Sequence, residues 1–561
     1  MKILGINYLS EASITLLDNG KIRYSISEER INRVKNWWGN PFKSINYMLK
    51  DLNLKIKDID VITTHGLIGS VQKVPVLKFF EQKEKEIFNS KLSSVQKKIQ
   101  IKNLNKRFVH ERNVSNRTKK YLKSLKNKFK KIEIYDHHKS HAATAYYYSG
   151  WQNCFVLTID GWGDQSSSKF YQASKGFLKE ITSSYTLNSL GYFYGSITKL
   201  LGFKPHQHEG KILGLAAFGN KNKAYKEISK MISFDKKNNC FKGNYEKGIY
   251  VASFENKNIN YLLKKYSKKD IAAATQKRLE DVVLDFIKYN ISKKSKIALA
   301  GGVFANVKLN QKISELKNIE KIFVFPNMGD GGLSVGTAAL SYFKKRKYLP
   351  KNLKSMYLGP EFSNNTILKE IKKNKLEFLE LSNSNKFIAN EISKGKVVGL
   401  FQGRMEFGPR ALGNRSIIVQ AKDKSVNDWL NKKLKRTEFM PFAPVTLKKD
   451  KNKYYHDTSN KNLCMEFMTS TVKCKKLAVQ EFPAAVHIDN TARPQLIDKN
   501  NNPLLYNIIL NYKKITNCST LINTSFNMHE EPIVCSPNDA IRAFKLGNLD
   551  YLYIGKYILK N

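Results

Sequence analysis

Three of the ten histidines fall within one hexapeptide, Asp136-His137-His138-Lys139-Ser140-His141. His137 and His141 stand four apart, so on the opening turns of a helix their imidazoles share one face and can chelate one cation. A bare pair at this spacing also arises from capping or core histidines, so oxygen ligands are needed before it means a metal. Asp160 and Asp330 can supply them. Each ends a strand-like run in a glycine-rich turn, where a carboxylate can meet a metal-bound phosphate. Neutral imidazole with oxygen donors suits Zn²⁺ or Fe²⁺.

The turns Gly161-Trp162-Gly163, Gly301-Gly302 and Gly329–Gly332 let backbone N–H groups approach a nucleotide phosphate. Each alone could join an ordinary strand to a helix. Three beside a candidate metal site favour ATP, with Asn306 just downstream of the second turn. In His208-Glu209-Gly210-Lys211, Glu209 and Lys211 put opposite charges where either a polar site or a plain surface turn would serve.

A third group lies near the C-terminus. The loop Gly403–Ser416 holds Arg404, Arg410 and Arg415 among glycines and Pro409 that fix its backbone. Arg493 and the run Asn523-Thr524-Ser525-Phe526-Asn527 add a guanidinium, amides and a hydroxyl. A phosphoester dianion with an amide head calls for that mixture. The competing account is an arginine–carboxylate network that only holds the loop.

The elements that must position these groups alternate between strand and helix. Lys2–Tyr8 reads as a strand, Ser13–Leu17 and Lys21–Ser27 as a hairpin about Asp18-Asn19-Gly20, Phe42–Leu52 as a helix and Ile59–Thr63 as a strand. Asn153–Asp160 and Lys169–Ala173 repeat the opening outline, which suggests an internal duplication. Lys296–Ala300 and Ile322–Phe325 are further strands, the second leading through its glycine turn into helix Leu333–Leu340. Beyond a boundary near residue 350 come strand Val397–Phe401, helix Val426–Leu434, and strands near Ala484–Ile488 and Thr520–Ile522. Residues from about 70 to 130 are Lys-rich with helical periodicity and read as a solvated insertion.

At 561 residues the chain needs more than one core, and its 41% apolar content excludes general disorder. The opening segment lacks the parts of a signal peptide, and no apolar run is long enough to span a membrane. The six cysteines are scattered without a C-x-x-C, as in reduced cytosol, so a cytoplasmic protein is expected. The net charge of +50 would suit nucleic acid, but 83 of the 97 basic residues are lysine. Five of the 14 arginines lie between Arg404 and Arg493. The charge reads as a whole-chain bias, and nucleic acid is not the expected partner.

The strings HHKSHAA, TIDGWGD, EGKILGLAAFG, GGVFANVKLN, NMGDGG, FQGRMEFGPRALGNRS, TARPQ and NTSFNMHEEPIVCSPNDAI together resemble the carbamoyltransferase family of nodulation-factor and antibiotic O-carbamoyltransferases. The resemblance runs over nearly the whole chain. It implies an α/β protein: an actin/hexokinase-like (ASKHA) duplicated domain over 1–350 and a YrdC-like α/β domain over 351–561. It further implies that carbamoyl phosphate and ATP give carbamoyl-adenylate, whose carbamoyl group passes to an acceptor hydroxyl on a sugar or secondary metabolite. By the same resemblance His137, His141, Asp160 and Asp330 hold a metal, iron in the family with zinc as the alternative. Gly161, Gly163, Glu209, Lys211, Gly301, Gly302, Asn306 and Gly329 face the nucleotide. Lys435, Arg493 and Ser525, expected to be catalytic, and Arg410 match the family's carbamoyl-phosphate site. The chemistry of the loop and of the Asn523–Asn527 run adds Arg404, Arg415, Asn523 and Asn527 to the residues expected to face that anion. A second copy of the chain is the candidate homodimer partner.

Two departures stand out. Family members carry a His-Asp pair after the first strand, and here the stretch is Tyr8-Leu9-Ser10-Glu11. Glu11 can replace the histidine as base only if burial raises its pKa. The arginine that often precedes Pro441-Phe442-Ala443-Pro444 is Met440. These departures keep open a partner or scaffold protein that has lost transfer, and the +50 charge keeps open a threonylcarbamoyl-type transferase acting on nucleic acid.

Overall fold

The computed structural model describes residues 1–8, 10–66, 76–129, 132–244, 259–433 and 439–561. They gather into two compact units, Met1–Ile6 with Ile59–Pro350, and Asn7–Asp58 with Lys351–Asn561. Both units are α/β.

In the first unit, Val61–His65 pairs in parallel with the opening strand at Ile3↔Val61 and with Ile132–Tyr135 at Ile62↔Ile132. A second sheet runs in the order Ile319–Val324, Ser295–Ala300, Asn153–Gly163, Ser166–Ser174, Phe177–Tyr185. Its first three strands are parallel and the last two antiparallel. Strand segments such as Ile297–Ala300 are wholly buried, as expected of strands covered on both faces.

The chain thus twice follows one plan: a strand, an antiparallel hairpin or meander, then two strands parallel to the first. This is the duplication expected of an actin/hexokinase-like fold. Two buried helices, His137–Tyr148 and Leu333–Arg346, pack on each other. Their closeness needs Gly336, because a Cβ there would fall 2.0 Å from the Ser140 carbonyl oxygen.

The insertion is helical, as its periodicity predicts: Val76–Phe88, then Ser94–Lys128 opened by a capping box of Ser93 and Gln96. It also has a buried seam, in which Phe80, Ile87 and Leu104 pack with Leu187.

The second unit contains the hairpin Ser13–Asp18 and Lys21–Ser27, turned at Asn19 and Gly20, both at positive φ. Its main sheet has eight strands in the order Leu379–Glu380, Tyr557–Lys560, Tyr551–Ile554, Val398–Phe401, Arg415–Val419, Thr520–Ser525, Ala443–Leu447, Gln495–Ile497. Helices such as Pro503–Thr516 cover it through a large aliphatic core. The strand expected near Ala484–Ile488 is instead a 3-10 turn, Pro483–Ala485. Pro483 has no N–H to give a ladder, and the buried alanines fill core space without pairing.

Candidate cation and anion sites

Asp136 N-caps helix His137–Tyr148, its carboxylate accepting the Lys139 N–H at 2.7 Å. That cap fixes the first turn, and His137 and His141 project from it to one point. Asp160 Oδ2 lies 3.2 Å from His137 Nε2 and 3.1 Å from His141 Nε2. Asp330 Oδ1 lies 3.6 and 3.5 Å from the same nitrogens. One ligand atom from each of the four residues falls within 4.8 Å of all the others. Sequence spacing thus named four side chains that the fold brings together.

Charge in this cluster is unbalanced. Burial would raise Asp160, yet hydrogen bonds from His137 and His141 hold it well below the usual carboxylate range. Burial, aided by the charge of Asp160, raises Asp330. Burial disfavours a charged His141, but Asp160 and Asp330 outweigh it and push this imidazole up to about 9. Asp330 Oδ1 is buried without a hydrogen-bond partner. An orphaned carboxylate oxygen facing two imidazoles and a second carboxylate is the donor arrangement a divalent cation satisfies.

Three neighbours escaped sequence reasoning. Asp164 accepts the His137 backbone N–H at 2.7 Å. His138 is held by Thr158 Oγ1 at 2.9 Å and the Ser166 carbonyl at 3.0 Å. A carbonyl can only accept, so Nε2 carries the proton; burial and then His137 lower this ring to about 3, so it stays neutral. His65, ending strand Val61–His65, meets the His137 ring edge-on at 5.3 Å. Burial, then the charges of His137 and His141, lower it well below the usual value. The one signal for it was a strand ending in His65-Gly66, the pattern of Asp160-Gly161.

The glycine turns crowd the same cluster. A Cβ at Gly163 would lie 2.1 Å from His137 Cδ2, and one at Gly302 3.1 Å from Asp160 Oδ1. Gly301 has φ +101°, and a Cβ there would meet the Ile159 backbone at 2.3 Å. Gly161 follows Asp160 and donates its N–H to that side chain at 2.7 Å. Gly329 leads into the 3-10 turn Asp330–Gly332. The remaining nucleotide candidates have protein partners. Asn306 N-caps helix Val307–Ser314 and exchanges hydrogen bonds with Gln276. Glu209 accepts the His206 N–H, and Lys211 is buried in the same helix, Glu209–Ala216.

In the second unit the arginine loop is organised from inside. Arg415 is wholly buried, and its guanidinium donates to the carbonyls of Gln402, Gly403, Asn414 and Pro360. Arg404 donates to Gly359, Leu358 and Arg23. Both were expected to bind the anion. In the structure their guanidinium groups donate chiefly to backbone oxygens and so hold the loop, while Arg415 Nε is buried without a partner. Glu406, unassigned from sequence, accepts the N–H groups of Leu412, Asn414 and Arg415 through one oxygen.

Asn523 donates to Ala411 at 3.2 Å and to Gln495 at 2.7 Å, and Gln495 donates to Leu412. The loop and strands Thr520–Ser525 and Gln495–Ile497 are thereby joined. Ser525 ends strand Thr520–Ser525, Arg493 lies just before strand Gln495–Ile497, and Arg410 is in the loop, each half-buried. Asn527 turns inward to the carbonyls of Met528 and Glu531. Lys435 lies outside the described residues. Glu11 is exposed at φ 51°, so the burial that its role as base requires is absent.

Comparison with known proteins gives these geometries a context. The carbamoyltransferase N-terminus model matches residues 2–339 and the carbamoyltransferase C-terminus model residues 389–561. The Methanocaldococcus jannaschii protein MJ1051 is 34% identical, over 99% of this chain and 99% of its own. Nodulation protein NolNO of Sinorhizobium fredii is 28% identical, over 99% of this chain and 79% of its own. The 3'-hydroxymethylcephem-O-carbamoyltransferase of Streptomyces clavuligerus is 25% identical, over 63% of this chain and 65% of its own. With both family models matched in order along one polypeptide, the chain belongs to the carbamoyltransferase family of enzymes.

Proposed function

We propose that the chain is an ATP-dependent O-carbamoyltransferase. Water hydrolyses carbamoyl phosphate to carbamate and phosphate, and a carbamate oxygen then attacks the α-phosphorus of ATP with departure of pyrophosphate. An acceptor hydroxyl, giving up its proton, attacks the carbamoyl carbon with departure of AMP. Adenylation supplies a better leaving group than direct attack on carbamoyl phosphate would have. The convergence of His137, His141, Asp160 and Asp330 carries the reading, because nucleotide phosphates need opposing charge. A divalent cation on these four residues, iron or zinc, would supply that charge and polarise a phosphate oxygen.

Around it, the backbone of the turns that hold Gly161, Gly163, Gly301, Gly302 and Gly329 faces the nucleotide phosphates, and at Gly163, Gly301 and Gly302 the missing side chain also makes way for His137, Ile159 and Asp160. In the second unit Arg410, Arg493 and Ser525 take the anion, with Asn523 at the amide head and Lys435 as a further cation. The hydroxymethyl group in the name of the cephem enzyme supports a hydroxyl acceptor here, on a sugar or secondary metabolite. Glu11 has no part in this scheme.

The test is carbamoyl-phosphate-dependent exchange of labelled pyrophosphate into ATP. Exchange is expected from the metal-loaded chain without any acceptor. No exchange would sink the adenylate route and favour a scaffold.

A further inference from the structure

We propose that the outward face of helix Ser94–Lys128 docks on a bilayer surface rich in anionic phospholipid. This inference is independent of the transfer chemistry. The helix has two unlike faces. Gln100, Leu104, Leu122 and Leu125 are buried, and Phe108 meets Phe80 ring to ring at 5.0 Å. On the other side Lys98, Lys102 and Lys106 recur every four residues, so they form one row along the helix. Val95 and Val109 stand seven residues either side of Lys102, hence on the same face, and are 67% and 55% exposed. Lys98, Lys102, Lys106 and Val109 line a shallow groove with Ile101 and Asn105.

Charge selects the partner. The segment Ser94–Lys128 carries twelve Lys and Arg and one carboxylic residue, Glu111. Among the described residues the ammonium groups of Lys98, Lys102 and Lys106 have no carboxylate partner. A row of unneutralised lysines with valines between them matches lipid head groups above acyl chains. Long lysine stems reach the phosphates while the branched methyl groups enter the interface. Nucleic acid would use the lysines but leave the valines idle, and it favours arginine and stacked aromatics. Phe88, at the end of helix Val76–Phe88, is 58% exposed, and its carbonyl accepts Lys97 Nζ from the start of helix Ser94–Lys128.

The experiment is sedimentation of the full chain with vesicles of phosphatidylcholine alone, or with roughly a third phosphatidylglycerol. Binding to the anionic vesicles only is expected. Combining Lys98→Gln, Lys102→Gln and Lys106→Gln should lower the partition coefficient about 100-fold. Lys372→Gln, Lys373→Gln and Lys375→Gln, a charge-matched change in the other unit, should lower it less than about threefold. Val95→Ser with Val109→Ser should weaken binding at high salt, where only the apolar part persists. Unchanged circular dichroism shows that each variant is folded. The proposal is overturned if the parent ignores anionic vesicles, or if both lysine triples lose binding equally. It is equally overturned if the first triple loses affinity for RNA while the parent shows none for vesicles.

Discussion

A single oxygen, Asp160 Oδ2, lies within hydrogen-bonding reach of both His137 and His141, and the two Nε2 protons that these rings turn toward it occupy the place a cation must enter. In the cation-free cluster His141 sits at about 9, so below that pH it carries a proton that a metal must expel. Affinity for a divalent probe such as Mn²⁺ should therefore rise with pH, by about tenfold per unit from about pH 6.5 to 8.5, and flatten above about 9. Calorimetry in buffers of different ionisation enthalpy should register the released proton. Affinity independent of pH would remove His141 from the ligand set. These residues were legible because spacing and capping are local: Asp136 starts the helix, and four residues on the second imidazole faces the first. The arginines misled for the opposite reason. Residue type announces a guanidinium, but only the folded loop shows that backbone oxygens have already claimed Arg404 and Arg415. Glu406 carries no signal at all, because a lone glutamate in a loop looks like any exposed one.

At the scale of elements, strands and helices were largely readable from period and turn chemistry, including the hairpin at Asn19-Gly20. The exception is Pro483–Ala485, where apolar residues fill the core from a turn and no pattern separates that from a strand. The glycine turns were recognisable as turns, but their reason was not. Gly163 is there because the His137 ring occupies the space of its missing Cβ. Gly163→Ala should displace that ring, lower stability by about 1–3 kcal/mol, and weaken cation binding at least about tenfold. Gly210→Ala meets nothing within 4 Å and should change neither. Denaturant unfolding and metal analysis of the purified variants decide it, and normal metal content in Gly163→Ala would refute the steric account.

Across the molecule, the cation cluster belongs to one compact unit and the arginine loop to the other. If adenylation depends on the second and transfer on the first, Arg493→Ala should reduce pyrophosphate exchange by at least about 100-fold. His141→Ala should retain more exchange than it retains acceptor carbamoylation. Equal loss of both steps in both variants would refute the division. At this scale the sequence spoke through long specific strings, which carried fold class and family together. It was silent on what the lysine-rich insertion is for, since a charge run reads as solvated until its buried seam shows which face is left over.

The carboxylate of Glu406 has one more consequence, for how the loop it holds exchanges with solvent. Irregular segments ordinarily give up their amide hydrogens quickly, because nothing must unfold to release them. The N–H groups of Leu412, Asn414 and Arg415 instead end on a side chain that is 4% exposed. In deuterated water these three amides belong with the strands around them, and their labelling waits on an opening of the core. A loop that carries no ladder of its own thus inherits the lifetime of the sheet beside it.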